Sequence, residues 1–131
     1  MPEMSKAKQE KELKLLKRKC LFLWKARVKE RAGKKCEAIG CKKTKFLNAH
    51  HIESFISNKS LRFDIRNGIC LCPRHHRFGW FSAHRSFCFV FTLLSNKRKL
   101  DFDYLLEHYQ DRIELNKEFL LDKISKLELS I

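Results

Sequence analysis

Between Cys36 and His84 the chain gathers four of its six cysteines and five of its six histidines. The run reads C-E-A-I-G-C-K-K-T-K-F-L-N-A-H-H-I, then a polar stretch, then N-G-I-C-L-C-P-R-H-H, and finally F-S-A-H. Thiolates and imidazoles are the side chains with which proteins hold transition metals. A segment this short must fold so that those donors converge, and it carries enough of them for two metal sites with different work.

Spacing separates the two sets. Cys36-x4-Cys41 puts two thiolates on one knuckle, and Cys72-x2-His75 puts a thiolate and an imidazole around a helix start. Together they suit a closed, tetrahedral Cys3His zinc site of structural type, with Zn–S near 2.3 Å as is usual for that ion. Such a staple suits a core too small to hold itself. Cys70 would share a face with Cys72 in a strand, but Cys72 with His75 has the better chelate spacing, so Cys70 is assigned to the core. Cys20 and Cys88 sit among apolar neighbours and are read as small buried hydrophobes.

The other histidines form the second set. His50 and His51 are adjacent on an expected strand, so they point to opposite faces. One can ligate a metal while the other acts as a base. His76 follows His75 on a helix and points about 100° away from it, which allows it to meet His50 at an open, catalytic type of centre. His84 is a third ligand, a phosphate donor or a helix-end hydrogen-bonding group. Trp24 and Trp80 are expected in the core, and His108 on a surface.

Size and charge bound the rest. A chain of 131 residues makes one domain, or one small domain with helical extensions. Its formal charge of +14 favours a polyanionic partner, with nucleic acid foremost. Residues 1–35 carry 13 Lys and Arg against 4 Asp and Glu, whereas residues 101–131 carry 4 against 8, so the tail is expected to face away from that partner. The start is charged and unlike a signal peptide, and the longest apolar run, 87–94, is too short to span a bilayer. Cytoplasmic placement without secretion is expected, with reduced cysteines available as ligands.

Residues 5–32 lack Gly and Pro and carry an apolar stripe of Leu13, Leu16, Cys20, Leu23 and Trp24, which predicts a helix stopped by Gly33. Strands are expected over 46–52 and 69–72, with Asn67-Gly68 as a turn. A helix should start at Pro73 and run to about Phe81. Ser86 is placed as the cap of a helix that ends in a basic loop over 95–99. The tail pattern Phe102, Leu106, Tyr109, Ile113, Asn116, Leu120, Ile124, Leu127, Ile131 suits either helices closing over the core or a short coiled-coil seam to a partner or second copy. The fold class is α+β: a basic helical extension (1–32), a strand-strand-helix unit with its zinc site (33–100) and an acidic helical tail (101–131).

Cys-x4-Cys, L-N-A-H-H-I and N-G-I-x-L-C-x-x-H-H together resemble the HNH endonuclease family and its ββα-metal fold, over Cys36 to about His76. F-S-A-H and F-T-L-L…D-F-D-Y-L-L-E are similar, more loosely, to phage-type members. The resemblance implies a metal-dependent DNA endonuclease in a bacterial or phage-infected cell. His51 would be the general base, and Asn67 the central Asn that aims it or sits beside the metal. His50 and His76 would ligate the catalytic ion. His50 stands where many members have Asp, a softer choice that lets Zn2+, Ni2+ or Mn2+ compete with Mg2+. Arg62, Arg66, Arg77 and Arg85 lie in or beside the motif as candidate DNA-phosphate contacts. The alternatives are a zinc-stapled DNA-binding module without cleavage and a partner-dependent subunit docked through the C-terminal helix.

Overall fold

The structure, a computed structural model, describes residues 4–53 and 60–129. A long helix, α1 (Lys6–Arg31), precedes strand β1 (Asn48–His51) and strand β2 (Gly68–Leu71), with two short 3-10 turns, Ser60–Phe63 and Ile65–Asn67, between them. A single wide turn of π-type helix, Arg74–Phe78, follows β2. Helices α2 (Phe87–Lys97), α3 (Lys99–His108) and α4 (Lys117–Leu129) complete the chain. The class is α+β, with one two-stranded antiparallel sheet among the described residues. No described helix is long and apolar enough to cross a membrane.

Helix α1 begins at Ser5, whose side chain accepts from the Lys8 N–H at 3.3 Å. It ends at Gly33, whose positive φ of 71° lets the chain turn back. There the Gly33 N–H donates to the Glu30 carbonyl and the Lys34 N–H to the Lys29 carbonyl, the paired bonds of a left-handed helix stop. The expected apolar stripe faces inward: Cys20 and Trp24 are fully buried, and Leu13, Leu16 and Leu23 pack beside them. The basic helix is thus part of the core and not only an extension of it.

The strands pair with His50 opposite Ile69 and His51 opposite Gly68. Side-chain alternation divides the interior in two. Cys70 faces Trp24, Val28 and Phe63, while Ile69 and Leu71 face Phe89, Leu93 and Leu94 of α2. Gly68 sits where a Cβ would come 2.4 Å from a Val28 methyl and 2.8 Å from the Trp24 indole. Only glycine lets β2 lie this close on α1.

Several expectations are corrected by packing. The helix after Pro73 stops at Phe78, not Phe81, where the Gly79 N–H closes back on the Arg74 carbonyl. The 95–99 segment is not a loop, because α2 runs to Lys97 and α3 starts at Lys99. Arg98 between them is buried and donates to the carbonyls of Gly68 and Arg66 and to Asp101. It ties the two helices to the start of β2. Asn67-Gly68 is not a hairpin turn but the junction of a 3-10 turn and β2. Trp80 is 89% exposed, and Cys88 is exposed as well.

The tail pattern is broken between α3 and α4. Asn116 is not at a seam position: its side chain accepts from the Phe119 N–H at 2.9 Å at the start of α4. Leu120, Ile124 and Leu127 are buried with Cys20, Trp24 and Val28 of α1, and Ile131 lies outside the described residues. Arg27 reaches across to the Leu127 carbonyl at 2.7 Å, so the last turn of α4 is closed by a cation, as its dipole favours. The apolar face of α4 is used within the chain.

Candidate metal centres and catalytic groove

Among the described residues, two groups of three or more metal-capable side chains converge: Cys36, Cys41, Cys72 and His75, and His50, His76 and His84. In each group the donor atoms all lie within 4.8 Å of one another.

Local turns bring the first group together. The Cys36 N–H donates to the Lys43 carbonyl and the Cys41 N–H to the Ala38 carbonyl. Gly40, at φ 77°, supplies the reversal between the two cysteines. Cys72 ends the strand pair, and the short helix turns His75 back over it. His75 Nδ1 is 3.2 Å from Cys72 Sγ and 3.6 Å from Cys36 Sγ. The His75 ring is also stacked on Phe89 at 5.8 Å. Burial pushes the Cys36 thiol up to about 12. Burial also acts on Cys72, but hydrogen bonds from the backbone of His75 and from Cys36 and Cys41 outweigh it and hold that thiol below its usual value. Burial, with Arg74 and Lys43, lowers His75. Three sulfurs and one neutral imidazole at these separations fit a tetrahedral ion of zinc's size and softness. Cys70 is not in the group; it is buried on the α1 side, where burial raises its thiol to about 11.

The second group comes from three elements. His50 projects from β1, His76 from the short helix, and His84 from the segment beyond it. The Ala83 N–H donates to the His75 carbonyl and the His84 N–H to the His76 carbonyl, which brings His84 back onto the helix. Ring centroids lie 5.2 Å apart for His50–His76, 4.9 Å for His50–His84 and 4.5 Å for His76–His84. The Nε2 atoms of His76 and His84 approach to 3.0 Å. Burial, then the neighbouring imidazoles, lowers His50 to about 4, and burial with His84 and Arg77 lowers His76. Three imidazoles crowded with their nitrogens together suit a shared divalent ion with open positions. Sequence reasoning paired His50 with His76 and left three roles for His84; the structure draws His84 into the same cluster.

His51 leaves β1 on the other face from His50 and is not one of the three clustered imidazoles, though it borders the same groove. Its ring stacks on Trp24 with centroids 3.8 Å apart and planes within 10°. Its Nε2 donates to the Arg62 carbonyl at 2.9 Å, so in the neutral ring Nδ1 carries the lone pair. Burial lowers its pKa to about 4 despite the Arg62 carbonyl, and the charges of Arg62 and Lys25 add to the fall. Trp24, expected only as core, therefore also fixes the base candidate, and its indole N–H is held by the Asp64 carbonyl at 2.8 Å.

Asn67 is fully buried and far from being a ligand. Its side chain accepts from the Glu53 N–H at 2.7 Å and donates to the carbonyls of Glu53 and Leu61. It ties Glu53, after β1, to Leu61, in the first 3-10 turn.

The arginines divide. Arg62 and Arg77 line one open groove of about 580 Å3 with His50, His51, His76 and His84. Lys25, which no motif singled out, lines it too. Arg66 is turned away, forked onto Asp64 at 3.0 and 2.7 Å and stacked 3.3 Å over the Tyr104 ring. Arg85 lies over Trp80 at 5.7 Å. His108 is a surface group held by Asp111.

Comparison with protein-family models, with curated proteins and with solved structures finds no match for this chain.

Proposed function

We propose that the chain is a metal-dependent DNA endonuclease of the HNH, ββα-metal type, hydrolysing phosphodiester bonds with His51 as general base. The observation that carries the reading is the arrangement of His51. It is neutral, stacked on Trp24 and fixed through Nε2, beside a three-histidine cluster in a groove with Lys25, Arg62 and Arg77. A mere binding module has no use for a half-buried, oriented imidazole of that kind.

The residues divide the work as follows. Nδ1 of His51, which burial keeps unprotonated at neutral pH, takes the proton from the attacking water. Asn67 keeps the connection that carries Arg62 in register, and so keeps His51 aimed. Lys25, Arg62 and Arg77 hold the phosphodiester by charge and hydrogen bonds. His50, His76 and His84 would hold a divalent ion, which would supply Lewis-acid stabilisation of the charge that develops on the phosphate and the leaving 3′-oxygen. Cys36, Cys41, Cys72 and His75 would hold a structural zinc, which would fasten the knuckle before β1 to the helix carrying His76.

The test is supercoiled plasmid incubated with the protein and with His51→Ala, in magnesium, manganese, nickel and zinc in turn at low salt. The reading expects open-circular or linear product from the parent and not from the variant. Absence of conversion with every ion, alongside a retained gel shift, would replace it with a zinc-stapled DNA-binding module or a partner-activated subunit.

A further inference from the structure

The groove at the histidines does not end there. His76 and Arg77 also line a second cleft, whose other walls include Phe46, Asn48, Pro73 and Phe78. Phe46, Pro73 and Phe78 in turn border a third, flanked by Lys42, Lys43, Lys45 and Arg74. A continuous path therefore leads from the candidate reaction centre, past two phenylalanines, to the cationic face of the cysteine knuckle. Phe46 is 83% exposed and Phe78 is 72% exposed. Exposed rings set among Lys and Arg are what single strands bind, because every base has a face to stack and every nucleotide a phosphate to neutralise.

The backbone at Phe46 is a separate observation. Its φ is 57°, in the left-handed region that a bulky side chain adopts at a cost. The Asn48 side chain donates to the Phe46 carbonyl at 3.3 Å and helps to hold that conformation. A strained aromatic with no burial to repay it points to use by a ligand.

We infer that Phe46 and Phe78 form a stacking platform for unpaired nucleotides, so that the substrate is DNA with a single-stranded segment running beside the cut. The position of the cut rests on the proposed endonuclease reading; the platform itself does not.

The test is fluorescence anisotropy with the full chain at fixed salt. The probes are a blunt duplex and the same duplex carrying a short thymidine overhang. The parent should bind the overhang substrate at least about tenfold more tightly, as aromatic stacking of one or two bases supplies. Phe46→Gly with Phe78→Leu should abolish that preference and leave blunt-duplex affinity unchanged. Phe46→Gly alone should keep or raise the thermal midpoint, since glycine accepts a positive φ without strain. Equal affinity of the parent for both probes would overturn the inference. So would a preference that survives the double variant, or a midpoint lowered by Phe46→Gly. The preference without cleavage by any ion would leave the platform standing and remove the endonuclease reading. Cleavage of blunt duplex without the preference would do the reverse.

Discussion

Gly68 shows how one missing side chain sets the geometry around the candidate base. Because β2 lies directly on Trp24 and Val28, His51 opposite Gly68 meets the indole face. Val28 is stiff at its branch point, and Trp24 is tethered to the Asp64 carbonyl, so neither can move aside freely. Gly68→Ala is expected to lower stability by about 2 kcal/mol, the range of an overpacked core, as measured by chemical denaturation. Asp64 acts on the same corner. Burial raises its carboxyl, but the hydrogen bonds and charge of Arg66 outweigh that and hold it below the usual carboxylate range. Its folded value lies below its unfolded one, so its contribution is present above about pH 4 and is lost as pH falls through the folded value. Asp64→Asn should therefore flatten the acid limb of stability, with a loss near neutrality of about 1 kcal/mol after allowance for the exposure of Arg66. At this scale the donor identities were legible from residue type and spacing. The work of Trp24 was not, because an aromatic on an apolar stripe looks the same whether or not a histidine stacks on it.

The elements that sequence placed well are those whose signals are local. Helix α1 follows from composition and Gly33, β1 and β2 lie within about two residues of the short runs expected at 46–52 and 69–72, and α2 starts after Ser86 as expected. Those misjudged depend on partners far along the chain. Arg98 looked like part of a solvated basic run, yet it is buried on the carbonyls of Gly68 and Arg66. Asn116 fitted a seam by periodicity, yet it caps α4, whose apolar face meets α1. The short helix after Pro73 is shortened by Gly79, and that shortening lets residues 83–84 fold back to deliver His84. The knuckle and this helix meet at Cys36, Cys41, Cys72 and His75, whose donor atoms all lie within 4.8 Å of one another. Chelation of the purified protein, or Cys72→Ser, is expected to release one zinc per chain and lower the thermal midpoint, read by metal analysis alongside circular dichroism. An unchanged midpoint in the metal-free protein would remove the structural role of that site.

Across the whole molecule, two small cores share one sheet, and the candidate chemistry lies along the sheet's exposed edge. Residues 1–35, with 13 Lys and Arg against 4 Asp and Glu, supply most of the formal charge of +14, and α4 packs directly on their helix α1, with Lys19 paired to Glu128 and Lys117 to Glu12. Binding to DNA should weaken steeply with salt, the logarithm of the association constant falling linearly with that of the salt concentration. Lys25→Ala should reduce that slope by about one while leaving sequence preference unchanged. The proposed reaction divides its labour between His51, which moves the proton, and the three-histidine cluster, which would hold the ion. Its most direct measurement pairs manganese binding by calorimetry with single-turnover cleavage for the parent, His51→Ala and His76→Ala. The account predicts that His51→Ala keeps the ion and loses a factor of about 100 to 10,000 in rate, whereas His76→Ala loses both. A His51→Ala protein that cleaves at the parental rate, or that no longer binds manganese, would contradict it.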